Sequence, residues 1–144
     1  MNVQIGLEWV RVSLRGYGGE SPTGTAFFDL LAVEPERILG AKPSKSAWQS
    51  ASLELFAVDM AALGASREPY EEFAARIERG FLQAAAWLDA RPPGAFDRWR
   101  GQGRKADIFI GGWLANEQFD LRLPAPFLLA CGRANLPVHI CTND

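Results

Sequence analysis

The sequence is poor in the residues that build metal and redox sites. It has one histidine, His139, and two cysteines, Cys131 and Cys141, with no CxxC motif. A disulfide framework or a zinc ribbon needs more cysteines, and a site with several histidines is excluded. We therefore expect no metal, no cofactor, and two reduced thiols in a reducing compartment.

Long apolar runs and a strong net charge are also missing. No run approaches the ~18 apolar residues of a membrane span, and "MNVQIGLEWV" lacks the basic and apolar segments of a secretion signal. The formal net charge is −2, which argues against a general attraction to nucleic acid or anionic membranes. We expect a cytoplasmic protein that meets another protein or a second copy of itself, and neither nucleic acid nor a membrane.

The composition is that of a folded globular chain. Hydrophobic residues make up 48% of the 144 residues and charged residues 22%, and the chain includes five tryptophans and nine phenylalanines. A chain of this length can bury one hydrophobic core without a structural metal or disulfides. We predict a single domain over residues 1–144.

Hydrophobic periodicity predicts strands that alternate with helices. Around Val12, apolar residues 10, 12 and 14 alternate with Arg11, Ser13 and Arg15, which is the pattern of a half-buried strand. A stripe at steps of three or four predicts a long helix over residues 70–90. Shorter patterns predict a first helix that ends at Pro35, strands over 48–58, 106–115 and 136–142, and a helix near 125–134.

The predicted element order is β-α-β-α-β-α-β. We expect an α+β two-layer sandwich, with helices packed on one face of a mixed, largely antiparallel sheet. The second alternative is a parallel doubly wound sheet, which the polar face of the first strand disfavours.

The order of motifs also resembles a known family. The stretches "RVSLRGYG", "FFDLLAVEPERILGAKP", "DIFIGG" and "FDLRLPAPFLLACGRANLPVHI", with a Trp before the second strand and a long helix, carry the resemblance over Trp9 to Cys141. The chain resembles the bacterial family called domain of unknown function 4279. This resemblance implies a small α/β bacterial protein without an established activity, and no functional residue carries over from it.

A glycine-rich loop after the first strand invites comparison with phosphate sites. Gly19 and Gly24 have the spacing of a P-loop, but Thr25 and Ala26 stand where Lys and Ser/Thr should follow. The phosphate charge would lack its main partner. We predict a strand-to-helix turn with a polar helix cap.

Two other groups of residues could carry chemistry. His139 and Cys141 fall on one side of the last strand, where an imidazole could activate a thiol, but an inert pair is the favoured interpretation. Residues 98–105 place four basic side chains around Trp99, a composition able to hold phosphates and stack a base. Single-strand nucleic-acid binding there is the third hypothesis.

The leading hypothesis is a non-enzymatic bacterial binding or accessory module that acts through protein contact, with an immunity-like protein as one example. Interfaces favour Trp and Arg, and this chain has more Trp than its core requires. The alternative is an enzyme or a small-molecule or anion-binding protein with its site near Arg11, Arg15 and the loop Tyr17 to Thr25. The candidate binding residues are Arg11, Arg15, Tyr17, Trp48 and Trp113.

Overall fold

The computed structural model describes residues 7–19, 24–39, 50–64, 67–114 and 119–142. The strands are β1 (Leu7–Tyr17), β2 (Ser50–Asp59), β3 (Lys105–Leu114) and β4 (Val138–Thr142). The α-helices are α1 (Gly24–Leu30), α2 (Pro35–Leu39), α3 (Pro69–Asp89), α4 (Ala95–Gly101) and α5 (Ala125–Arg133). A 3-10 turn, Met60–Leu63, follows β2.

The four strands form one sheet in the order β2-β1-β3-β4. β1 is antiparallel to both β2 and β3, whereas β4 runs parallel to β3. A parallel neighbour needs a crossover connection, and the chain between β3 and β4 contains α5. The predicted α+β class with a mixed, largely antiparallel sheet is confirmed.

The predicted chain order β-α-β-α-β-α-β needs correction, because it omits α2, α4 and the 3-10 turn. Pro35 was expected to end the first helix, but it is the first residue of α2. Proline suits a first helical position because its missing N–H has no helical partner there. Ala32, with a φ of 51°, turns the chain between the two helices instead.

The core lies between one face of the sheet and the helices. Val12 and Ile110 from the two central strands are almost fully buried, as are Phe81 of α3 and Phe127 of α5. The rings of Phe81 and Phe127 lie 4.7 Å apart. Phe73, Ile77 and Phe81, which follow the stripe that predicted the long helix, are all buried.

A shift of register settles which residues of β2 point inward. Val12 pairs with Phe56, but the next residue of β1 pairs with Glu54, so Leu55 is the extra residue of a bulge. Leu55 is buried, and Phe56 also packs towards α3, where its ring contacts Phe81 at 5.0 Å. The helix has Gly80 at this contact, and an added Cβ would overlap the Phe56 ring.

The α2 end of the molecule is tied to α3 through Glu34. Its carboxylate accepts a hydrogen bond of 2.9 Å from Trp87 Nε1 and one of 3.1 Å from Arg91 Nη2. The Arg91 guanidinium stacks 3.8 Å from the centre of the Trp87 ring. The bond from Trp87, with the hydrogen bond and charge of Arg91, lowers the pKa of Glu34 to about 2, although partial burial opposes the shift.

Candidate binding surface on the open sheet face

The face of the sheet that points away from the core is lined by polar and aromatic side chains. Alternation along each strand places every second residue there, and we call this the open face. Its members include Trp9, Arg11, Ser13, Arg15 and Tyr17 of β1, Ser52, Glu54, Ala57 and Asp59 of β2, Lys105, Asp107, Phe109, Gly111 and Trp113 of β3, and His139 and Cys141 of β4. Four of the five predicted binding residues therefore share one surface, and Trp48 lies outside the described residues.

An ion pair joins the two central strands near the end of β1 at Tyr17. Arg15 donates from Nε to Asp107 Oδ1 and from Nη2 to Asp107 Oδ2, both at 2.8 Å. Tyr17 Oη lies 3.4 Å from Asp107 Oδ2. The hydrogen bonds to Asp107 raise the pKa of Arg15, and burial followed by the charge of Asp107 raises the pKa of Tyr17. The guanidinium of Arg15 is thus held in its charged form.

Arg15 also orders the next rings along the face. Its guanidinium carbon lies 4.3 Å from the centre of the Phe109 ring, a cation–π contact. Phe109 meets the His139 ring edge-on, with centroids 5.4 Å apart, and Arg15 Nη2 lies 3.5 Å from His139 Nδ1. Side chains from three strands are therefore held in one arrangement before any partner binds.

A second cluster lies towards the other end of β1. Arg11 Nε is 3.0 Å from Glu54 Oε1, and its guanidinium lies 5.5 Å from the Trp9 ring centroid. Trp113 pairs with Trp9 in the register of the two strands, and 44% of its surface is exposed. This end of the open face presents apolar rings to solvent beside a neutralised arginine.

Comparison with known proteins adds no relative. No family model, curated protein or solved structure that was searched matches this chain. The resemblance to the family called domain of unknown function 4279 therefore stays a prediction, and the function must be inferred from the site.

The charges of the open face bear on the anion-site alternative. Arg11 and Arg15 each have a carboxylate partner, and the pair of Arg15 uses both oxygens of Asp107. An incoming phosphate would have to compete with these carboxylates. The loop that was predicted to complete the site lies outside the described residues at positions 20–23.

The basic segment around Trp99 is organised for structure. Trp99 is fully buried, donates from Nε1 to the Lys105 carbonyl at 2.8 Å and packs 4.7 Å from Phe27. Arg100 Nη2 donates to Asp97 Oδ1, and the Arg104 guanidinium lies 4.5 Å from the centroid of the Trp99 ring. A base cannot stack on a ring that is already enclosed. Trp99 therefore does not support single-strand nucleic-acid binding at residues 98–105.

His139 and Cys141 lie on one side of β4, as their spacing predicted. His139 is exposed and contacts Phe109 and Arg15, while Cys141 is partly buried. The other thiol, Cys131, is buried in the core, where desolvation raises its pKa to about 11. Cys131 is therefore an inert apolar residue of the helix layer.

Metal clusters and membrane-spanning helices are both absent from the described residues. They contain no group of three His, Cys, Asp or Glu side chains that could hold a metal ion. Within the same part of the chain, no helix has the length and apolar character needed to cross a bilayer.

The sequence-based analysis missed Asp107 and Phe109 as members of this surface. They alternate with the buried residues Ile108 and Ile110, but the dense apolar run "ADIFIGGWLA" hides the alternation. The one available signal was Asp107 itself, an acidic residue inside a strand that was predicted to be central, where a charge needs a partner.

Proposed function

We propose that this protein is a non-enzymatic binding module that holds a protein partner against the open face of its sheet. The observation that carries the proposal is the preformed cluster of Arg15, Asp107, Phe109 and His139 on a face that the described helices leave uncovered. Arginine and aromatic residues dominate the energetics of protein interfaces. Side chains that are already ordered lose less entropy when a partner binds.

A protein is favoured over a nucleic acid because of the charge balance of the face. Strands that bind single-stranded nucleic acid offer unpaired cations and free rings. Here Arg11 and Arg15 are each neutralised, and Arg15 covers the Phe109 ring. A binding role is favoured over catalysis because both oxygens of Asp107 are engaged by Arg15, which leaves that carboxylate poorly placed to accept a proton.

The occupant that we propose is a second copy of this chain. Four strands ~4.8 Å apart and about nine residues long, at ~3.3 Å per residue, give a flat area on the order of 550 Å². Projecting side chains increase the area that a partner can bury. A standard interface buries ~800 Å² per partner, so the face is of suitable size. Its paired charges make it nearly neutral, which suits the self-complementary contact of a two-fold dimer.

Sedimentation equilibrium over micromolar concentrations tests this proposal. The wild type should exceed the 15.8 kDa of one chain, and Trp113→Ala should weaken the association by at least ~2 kcal/mol, or about 30-fold in Kd. Leu129→Ala is the matched control, because Leu129 is an exposed apolar residue of α5, 59% exposed, in the helix layer.

Three outcomes would contradict the proposal. A strictly monomeric species at every concentration would remove the second copy as occupant. Loss of the dimer in Leu129→Ala, with Trp113→Ala unaffected, would move the interface to the helices. Saturable binding of a fluorescent oligodeoxythymidine, lost in Trp113→Ala, would favour a nucleic-acid function for the same face.

A further inference from the structure

A groove in the helix layer is separate from the open face. It has a volume of about 590 Å³ and lies between the first half of α3 and residues 120–124, which lead into α5. Ala74, Ile77, Leu121, Leu123 and Pro124 give it apolar walls. We call it the α3 groove. Its volume falls within the ~300–1,000 Å³ typical of binding clefts.

The polar lining of the α3 groove is mostly acidic. Glu71 and Glu78 lie seven residues apart on one stripe of α3, and Asp120 faces them from the preceding segment of α5, with Arg122 as the only cation of the lining. Within the described ranges, neither Glu78 nor Asp120 forms a salt bridge. By contrast, Glu72, which follows Glu71 in α3, forms salt bridges with Arg76 and Arg79.

The carboxylate at the start of the groove meets another carboxylate. Glu71 raises the pKa of Glu68, first through side-chain hydrogen bonding and then through its negative charge. Two acidic groups placed side by side concentrate negative potential at this end of the groove.

The acidic groups do not form a metal site. As noted above, no three acidic, cysteine or histidine side chains in the described ranges come close enough to hold one ion. Carboxylates spread along a groove suit several separate ammonium or guanidinium groups better than a single metal ion. An exposed apolar residue, Leu82, 41% exposed, lies one helical turn beyond Glu78 and extends the apolar strip.

We propose that the α3 groove binds a basic amphipathic segment of a protein partner. Lysine or arginine side chains of that segment pair with Glu71, Glu78 and Asp120, and its apolar side chains cover Leu121 and Leu123. Complementary charge sets the choice of partner and the rate of encounter, and the apolar walls stabilise the bound state. This site does not depend on the open face, so the two proposals fail separately.

Fluorescence anisotropy with a labelled synthetic peptide tests the proposal. The probe is an amphipathic helical peptide with Lys on one side and Leu on the other, titrated with the full chain. We expect saturable binding that weakens as salt is raised. The double variant Glu78→Gln, Asp120→Asn should bind the peptide about fivefold or more weakly, as two lost charge pairs predict.

A matched double variant, Asp29→Asn with Glu36→Gln, removes two exposed charges from α1 and α2 and should bind like the wild type. Far-UV circular dichroism checks that each variant is folded. Equal weakening in both double variants would reduce the effect to net charge and overturn the proposal. So would equal binding of a peptide with Glu in place of Lys, or of one with Ser in place of Leu.

Amide chemical shifts of the labelled protein locate the contact. The peptide should move the resonances of Ala75, Ile77 and Leu123 more than those of Arg15 or Phe109. Shifts confined to the open face would overturn the assignment of the groove.

Discussion

Arg15 and Asp107 are 92 residues apart in the chain, yet they lie directly opposite each other on β1 and β3 and form two hydrogen bonds of 2.8 Å. The Asp107 side chain is 8% exposed and that of Arg15 is 32% exposed. This partly buried ion pair thus joins the two central strands on a surface that also carries aromatic rings and exposed charges.

We expect Asp107→Ala to lower the free energy of unfolding by about 2 kcal/mol, because hydrogen bonds to charged groups are stronger than neutral ones. Glu54→Ala, which breaks the exposed pair with Arg11, should cost less than ~1 kcal/mol. Urea denaturation of both variants measures the difference. Equal losses of unfolding free energy would show that burial of the Arg15–Asp107 pair adds nothing to stability.

Two glycine-to-alanine substitutions in helices should have opposite effects. Gly80→Ala should destabilise the protein by about 1–3 kcal/mol, because its Cβ would overlap the Phe56 ring and overpack the core. Gly132→Ala should stabilise it by about 0.4–1 kcal/mol, because a Cβ there meets no atom within 4 Å and alanine has the higher helix propensity. Thermal unfolding gives both signs, and a stabilised Gly80→Ala variant would contradict the packing of α3 on β2.

Acid should remove the contribution of Glu34 to stability. Its folded pKa of about 2 lies below the ~4.3 of an unfolded glutamate. The ionised carboxylate therefore stabilises the fold above about pH 4.3, and this stabilisation is lost as the pH falls towards 2. The difference in unfolding free energy between wild type and Glu34→Gln should shrink over that range.

Trp87→Phe, which removes the indole donor to Glu34, should raise the pKa of Glu34 and make this pH dependence smaller. Denaturant titrations at several pH values measure the effect. Parallel pH curves for the wild type and Glu34→Gln would show that Glu34 has no special role in acid stability.

The thiol of Cys131 should be unreactive in the folded protein. The thiolate is the nucleophilic form, and burial raises the pKa of Cys131 to about 11. Iodoacetamide at neutral pH should leave Cys131 unmodified in the folded protein and modify it after denaturation. Mass spectrometry of the digested protein locates the label. Fast modification of native Cys131 would mean that the core between α5 and the sheet opens readily.

Local patterns in the sequence determined much of this structure. The alternation around Val12 and the stripe of α3 depend on neighbours within a few positions, and these elements were predicted. Asn135 adopts the left-handed conformation, with a φ of 54°, just beyond the end of α5. The α+β class follows from the order of such elements.

Tertiary structure alone decided the composition of the candidate surface. Which carboxylate faces Arg15 depends on the register between β1 and β3, and the inward residues of β2 depend on a bulge at Leu55. Trp99 reads as an exposed aromatic among basic residues, but contact with Phe27 buries it. Contacts between distant residues leave no periodic signal, because each is set by how whole elements pack rather than by the spacing of residues along the chain.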